Sequence, residues 1–234
     1  MARVLVIGDI HEPATHPGYL PFCLSIAERW KTDRVVMIGD VLDFHAISHH
    51  AKHPDTPGSS DEAGEAREAI SAWHRAFPRA TVTIGNHDER VHRLASTVQI
   101  PGRFIQSFNA LWGTKGWKWT RSTTIDGVHY LHGTGLGGQQ PALAAARASM
   151  VPTVCGHVHS VGGVRWASGP SKSIWGMDTG CGVDATHPAM SYGRDLIRKP
   201  VLGAGVVLDG MPYYERMPAD RGQPFHISRF GGRK

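Results

Sequence analysis

Cysteine is scarce in this sequence. Its 234 residues include three, Cys23, Cys155 and Cys181. The number is odd and no CxxC pair occurs, which fits free, mostly buried thiols in a reducing compartment better than a disulfide framework. The cytoplasm is the expected location. No apolar run approaches the roughly 20 residues needed to cross a bilayer, so no membrane partner is expected. The first residues enter a strand-like run at Arg3 and show no charged leader, apolar stretch and cleavage site in that order, which argues against a secretory signal. No GxSxG motif appears, so no serine nucleophile on a strained elbow is expected. Internal repeats and a convincing linker are also missing. Charged residues make up only 19%, against 41% apolar, ordinary values for a soluble globular protein. The length suits one domain with a sizeable core and is short for two.

Histidine, by contrast, is abundant, with 15 residues. The formal net charge is +5 and the pI about 9.3. That balance raises the prospect of a polyanionic partner such as nucleic acid, although the basic residues are scattered. We expect a single domain over residues 1–215 and a flexible basic C-terminal tail over 216–234, where Arg221, Arg229, Arg233 and Lys234 stand among glycines and prolines.

Arg3–Ile7 reads as a buried strand closed by Gly8. A helix follows, with Leu20, Cys23 or Leu24, Ala27 and Trp30 at helical spacing. Arg34–Ile38 is a second buried strand closed by Gly39, and residues 45–60 read as a polar loop. Ser60 or Asp61 is placed to cap a helix whose face carries Ala63, Ala66, Ile70, Trp73 and Phe77. Thr81–Ile84 is a third strand closed by Gly85. Alternating strands and helices, each strand ending in glycine and polar residues, mark an α/β sheet with its site at the carboxyl ends of the strands. Further strands are expected at Val128–Leu131, Val151–Cys155, Ser173–Trp175 and Gly205–Leu208, with a hairpin turn at Asp126-Gly127 and a helix near Pro141–Met150. Residues 104–121, with Trp112, Trp117 and Trp119, show no clear period. They read as an insertion folding over the site.

Five polar motifs each follow a strand directly. They are Asp9-Ile10-His11, Gly39-Asp40-Val41-Leu42-Asp43, Gly85-Asn86-His87-Asp88, His132-Gly133 and Gly156-His157-Val158-His159. Five such loops at one sheet edge would bring carboxylates and imidazoles together, at high cost unless a cation compensates. Mixed nitrogen and oxygen ligands suit manganese, iron, zinc, nickel or cobalt better than calcium or magnesium alone. In Asp9-x-His11 and His157-x-His159, alternate residues of an extended segment point the same way. A carboxylate such as Asp40 can bridge two metals about 3.5–4 Å apart.

The ordered set DxH, GDxxD, GNHD, lone His and GHxH resembles that of the calcineurin-like metallophosphoesterases, and spans Asp9 to His159. The resemblance implies an α/β fold, a four-layer α/β/β/α sandwich of two mixed sheets. It implies that Asp9, His11 and His159 bind one divalent metal ion and Asn86, His132 and His157 a second, with manganese the first expectation. Asp40 would bridge the two, and a water or hydroxide, the nucleophile, would form a second bridge. His87 would donate a proton to the leaving oxygen or stabilise charge on the phosphoryl group, with Asp88 orienting it. Asp43 would support its loop.

The activity so implied is metal-dependent hydrolysis of a phosphoester substrate. The chain looks most like short, stand-alone family members, which favours a phosphodiesterase on a nucleotide, a nucleic acid or a small diester. A phosphomonoesterase is the alternative. A non-catalytic scaffold of the same fold would be signalled by a missing metal ligand or a missing His87, and none is missing. A nucleic-acid-binding protein would be signalled by strongly salt-dependent affinity. Arg90 and His45 are candidate substrate contacts, set against a solvated helix face and a solvated loop. His132 is preferred over His129 as ligand because it opens the loop. The three tryptophans could stack on a base, or pack the insertion. Asp178 and Cys181 stand where the family often has Asn and Ser, and are taken as structural. No homo-oligomer is predicted.

Overall fold

The computed structural model describes residues 1–193 and 196–218. Strand β1 (Arg3–Ile7) shows how the layers arise. Successive side chains of a strand point to opposite faces. Val4 and Val6 pack with Val36, Ile38, Val128, Tyr130, Val154 and Met177, whereas Leu5 and Ile7 pack with Tyr19, Ile26, Ile70 and Trp73. Both faces are therefore apolar, one against a second sheet and one against helices. That is why the sequence reads as an unbroken apolar run rather than an alternating one.

The first sheet adds β2 (Arg34–Met37), β3 (Thr81–Thr83), β4 (Lys118–Thr120), β10 (Gly203–Leu208) and β11 (Met211–Arg216), in the order β11-β10-β1-β2-β3-β4. Strands β1 to β4 run parallel, β10 is antiparallel to β1, and β11 is antiparallel to β10. Helices α1 (Tyr19–Trp30) and α2 (Ser59–Ala76) bring Tyr19, Ile26, Ile70 and Trp73 to its outer face. The second sheet is β5-β6-β7-β9-β8, formed by β5 (Ser122–Ile125), β6 (Val128–Leu131), β7 (Thr153–Cys155), β8 (Gly162–Ser168) and β9 (Ser173–Thr179). Helix α5 (Pro141–Ser149) packs against β7 and β9. The result is the expected four-layer α/β/β/α sandwich with two mixed sheets.

Asp126 and Gly127 have φ of 48° and 77° and turn β5 into its antiparallel partner β6, as the Asp-Gly pair predicts. Other expectations are corrected. Gly58, not Ser60 or Asp61, precedes α2, and no side chain caps that helix. Residues 104–121 extend and support the first sheet through α4 (Phe108–Trp112) and β4 rather than covering the site. Trp112 and Trp117 are buried in the core on the helical side, and the Trp117 indole donates to Phe77 O at 2.7 Å. Burial of two large aromatics, with the Trp117 N–H satisfied and the Trp112 N–H buried without a partner, marks them as packing residues. All three cysteines are free and buried. Of the expected C-terminal tail, residues 219–234 lie outside the described residues.

Candidate metal centre

The carboxyl ends of β1, β2, β3, β6 and β7 lie side by side, and the polar residues after each meet there. Asp9 follows β1. Its Oδ2 accepts from the His157 main-chain N–H at 2.7 Å and lies 3.2 Å from His159 Nε2. Its Oδ1 is buried without a hydrogen-bond partner. Asp40, beyond β2, accepts from the His87 main-chain N–H at 2.8 Å through Oδ1. Asp40 Oδ2 lies 3.2 Å from His132 Nε2 and 3.5 Å from His11 Nε2. Asn86 Oδ1 and His157 Nδ1 lie 3.0 Å and 3.2 Å from the same His132 nitrogen.

Backbone geometry makes this convergence possible. His11, Asp40 and His157 have φ of 53°, 46° and 69°, in the left-handed region that costs non-glycine residues of order 1–3 kcal/mol each. Strain of this kind collects at functional sites, and it turns each chain sharply off its strand. The glycines of two motifs have a second use. A Cβ on Gly85 would overlap the Asp40 carboxylate, and one on Gly156 would overlap that of Asp9. Only glycine lets these loops pass so close to the two buried acids.

Hydrogen bonds orient the imidazoles. Ile38 O can only accept, so His132 donates to it through Nδ1 at 3.0 Å and turns Nε2 inward. His11 faces the Asp43 carboxylate through Nδ1 at 2.9 Å, which turns its Nε2 to within 3.1 Å of His159 Nε2. Burial and the neighbouring His87 push the His11 pKa below its ordinary value. A neutral His11 therefore presents a lone pair to the centre. Burial also disfavours charge on His132, yet Asp40 and Asp9 outweigh it and hold its pKa up at about 10. The carboxylates demand positive charge, from a proton or from a metal. Burial resists ionisation of Asp40, but His132 and His87 hold its pKa well below the usual range.

The donor set fits metal ions. Asp9, His11, Asp40 and His159 form one group, and Asp40, His132 and His157 another, each with ligand atoms within 4.8 Å of one another. Asp40 is common to both, and Asn86 joins the second through its carbonyl oxygen. This arrangement, with a buried carboxylate oxygen unpartnered, calls for positive charge among the donors, which metal ions would supply.

Not every expected contact is present. Asp88 does not meet the His87 ring. Its carboxylate accepts from the main-chain N–H groups of Val41, Leu42 and Gly85 at 3.0, 3.2 and 2.8 Å, tying the second motif to the third. Burial and the Asp40 charge raise its pKa to about 7. Asp43 takes the place expected for Asp88, with its main-chain oxygen 2.7 Å and its carboxylate 3.3 Å from His87 Nδ1. Burial opposes a charged His87, but Asp40 and Asp43 prevail and its pKa is raised. Arg90 is not on a solvated face. It opens α3 (Arg90–Thr97), is buried, and donates to Asp43 O and Phe44 O at 2.9 and 2.6 Å. His45 is buried too, its main-chain N–H bound to Glu62 at 2.6 Å.

A cavity of about 670 Å³ opens over the centre. Asp40, Asn86, His87, His157 and His159 line it, and neither Arg90 nor His45 does. Its far wall comes from Ala185, Met190 and 196–200. That wall was not anticipated, since the segment shows neither a helical nor an alternating period.

A family model described as calcineurin-like phosphoesterase matches residues 2–161. No curated protein matches the chain. Among solved structures, Vps29 from Chaetomium thermophilum aligns over 95% of this chain and 92% of its own, with a TM-score of 0.50 and 14% identity. YfcE, a phosphoesterase from E. coli, aligns over 88% of both chains with a TM-score of 0.40 and 15% identity. The nuclease MPE from Pseudomonas putida aligns over 92% of this chain and 87% of its own, with a TM-score of 0.37 and 13% identity.

Proposed function

We propose that this chain, which belongs to the calcineurin-like phosphoesterase family, is a phosphodiesterase that works with two divalent metal ions. One observation carries the reading. Two adjoining groups of ligand atoms share Asp40, and each of the four loops that supply them holds a residue at positive φ, His11, Asp40, Gly133 or His157. In this reading Asp9, His11 and His159 hold one ion, Asn86, His132 and His157 hold the other, and Asp40 holds both. Manganese is the first expectation, and iron, zinc, nickel and cobalt suit the same donors. Two bound cations would supply the charge neutralisation and the activation of water that phosphoester hydrolysis needs.

The chain's own groups do the rest. Main-chain N–H groups of His157 and His87 fix the Asp9 and Asp40 carboxylates, so the ligands need not reorganise when charge develops. His87 lines the cavity beside them with its Nδ1 tied to the Asp43 main-chain oxygen. In the neutral ring Nε2 faces the Arg90 guanidinium at 3.4 Å as an acceptor, and the second proton that Asp40 and Asp43 favour on the ring is the one Nε2 would give to the departing oxygen. Asp43, rather than Asp88, orients that ring. A diester is favoured because the cavity runs on from the ligands to Met190, Leu196 and Pro200. A second ester substituent has room there, against an apolar wall.

The test is turnover of paired chromogenic substrates, a phosphate diester and a phosphate monoester, by protein stripped of metal and reloaded with manganese. Metal-dependent diester turnover that is absent from Asn86→Ala is the expected result. Turnover of the monoester alone would refute the diester reading, and silence on both across several metals would refute catalysis on small esters.

A further inference from the structure

Past the metal centre the molecular surface continues into a second cavity, of about 340 Å³, which none of the five motifs includes. Gln139, Ser160, Arg165 and Arg198 line it. Ser160 and Arg198 also line the cavity over the metal centre, so the two adjoin. Ser160 is next in sequence to the ligand His159, and two residues later β8 carries the chain to Arg165. Arg198 is exposed, and the segment that bears it is anchored at Val201. The Val201 main-chain N–H donates to His159 O at 2.7 Å, and Val201 O accepts from Cys181 N at 2.9 Å. This pins the end of the segment that bears Arg198 to the loop that bears the ligand.

Charge is distributed unevenly along this path. Among the described residues lining the two cavities, the only acid is Asp40, at the metal centre itself. Arg165, Arg198 and Lys199 supply positive charge, the last with its ammonium near Gly193 O at 3.2 Å. A small diester carries one negative charge, which the metal centre serves. Two further arginines converging on an adjoining cavity would have nothing to bind in such a substrate. Guanidinium groups are suited to phosphate recognition. On the first cavity's wall Leu196 and Ile197 stay 56% and 98% exposed, an apolar surface against which a base can lie.

We propose that the Arg165–Arg198 cavity is a second phosphate subsite, and that the substrate is single-stranded nucleic acid whose neighbouring phosphate sits there while the scissile one lies over the metal centre. The proposal rests on the phosphodiesterase reading of that centre. A strand that can unstack reaches the floor of a walled cavity, whereas a duplex presents its phosphates on the outside of a stiff rod.

Two measurements separate this proposal from the reading beneath it. The first compares kcat/KM for a single-stranded oligothymidylate with that for p-nitrophenyl thymidine phosphate, which has one phosphate. In Arg165→Ala and in Arg198→Glu the ratio should fall about tenfold, and Arg165→Lys should restore part of it. The second follows fluorescence anisotropy of a labelled oligothymidylate in chelator, where the strand stays intact. There the variants should weaken binding and reduce the log–log salt slope by about 0.7 for each phosphate that is no longer neutralised. A ratio and a slope unchanged by either arginine substitution would overturn the subsite. Wild-type protein that cleaves the one-phosphate ester but neither binds nor cleaves the strand would overturn it too. Wild-type protein that cleaves neither would sink the phosphodiesterase reading, and the anisotropy would still decide whether the cavity takes a phosphate.

Discussion

Asp178→Asn should make the protein more stable at neutral pH, by an amount that grows as pH rises. Asp178 lies on β9 and is 1% exposed. Its Oδ1 accepts from the Ala142 main-chain N–H at the start of α5 at 3.1 Å, while its Oδ2 is buried without a partner. Burial raises its pKa to about 6, against the opposing pull of that hydrogen bond and of Arg165. A carboxyl group whose folded pKa lies above its unfolded value favours the folded state at low pH. That contribution is lost as pH rises from the unfolded value, near 4, through the folded one. A rise of roughly two units at 1.36 kcal/mol each makes the ionised group cost about 3 kcal/mol, most of it accumulating between pH 4 and 7. Asparagine stays neutral over this range and keeps an oxygen for Ala142. Its amide N–H₂ in place of Oδ2 carries a penalty of its own, which does not change with pH. The variant's stability relative to wild type should therefore climb by about 2–3 kcal/mol from pH 4 to pH 7. Urea unfolding of both proteins in chelator at several pH values measures this directly, and ionisations common to the two cancel in the difference. A gap that stays flat with pH, or that opens in favour of the wild type, would refute the argument.

The metal centre and the core supply the remaining predictions. Asp43→Asn should weaken metal binding about 10- to 100-fold, because the carboxylate orients His11 without being assigned as a ligand; calorimetric titration with manganese checks this, and unchanged affinity would count against it. Gly156→Ala places a methyl against Asp9 and Ile38, and should cost about 1–3 kcal/mol of stability from overpacking together with most of the metal affinity. Adding manganese at 100 times its Kd to chelated protein should raise stability by about 2.7 kcal/mol for each ion held, and in a thermal melt Asn86→Ala should remove the share of the one ion it would hold. Trp117→Ala should cost about 3–5 kcal/mol in urea unfolding, since the residue is core; a near-neutral effect would return residues 104–121 to the role of a loose cover.

Much of the fold was legible because its central strands are covered on both sides. Residues 3–7, 34–38 and 81–84 read as short apolar runs for that reason, and the glycine after each marked where the chain leaves the sheet. Strands at the margins were harder to see. β8 begins with two glycines and carries Arg165 among exposed neighbours, and β11 contains Pro212 and alternates partly exposed residues. Neither has the apolar density that identifies a strand from sequence. β4 was hidden for another reason. Its Trp119 and the nearby Trp112 and Trp117 show no local period because they pack across α4, α2 and the sheet rather than along one face. The absence of a side-chain cap on α2 has a similar source. Glu62, in its first turn, instead receives the main-chain N–H groups of His45 and Ala46, a contact between segments that the local pattern does not contain.

For the site, residue types in order were enough to name the residues that converge there but not the contacts that orient them. Asp43 and Asp88 are both acids beside a histidine motif, and the family resemblance implied Asp88 as the partner of His87. The geometry reverses them because Asp40 adopts φ 46° and bends its loop back over the third motif. Asp43 is thereby carried to the His11 and His87 rings, and the N–H groups of Val41 and Leu42 are turned toward Asp88. The same bend brings Asp43 O and Phe44 O onto Arg90 and takes that arginine out of the cavity. Three residues at positive φ in this loop, Gly39, Asp40 and Phe44, thus redistribute three roles. A positive φ at a non-glycine residue is a tertiary outcome, held by contacts such as the Asp40 carboxylate on the His87 N–H, and no spacing rule predicts it. It follows that the cations facing a substrate need not be those nearest the motifs. In this chain the arginines that line the cavities are Arg165 and Arg198, on a strand and a segment that the motif order never reaches.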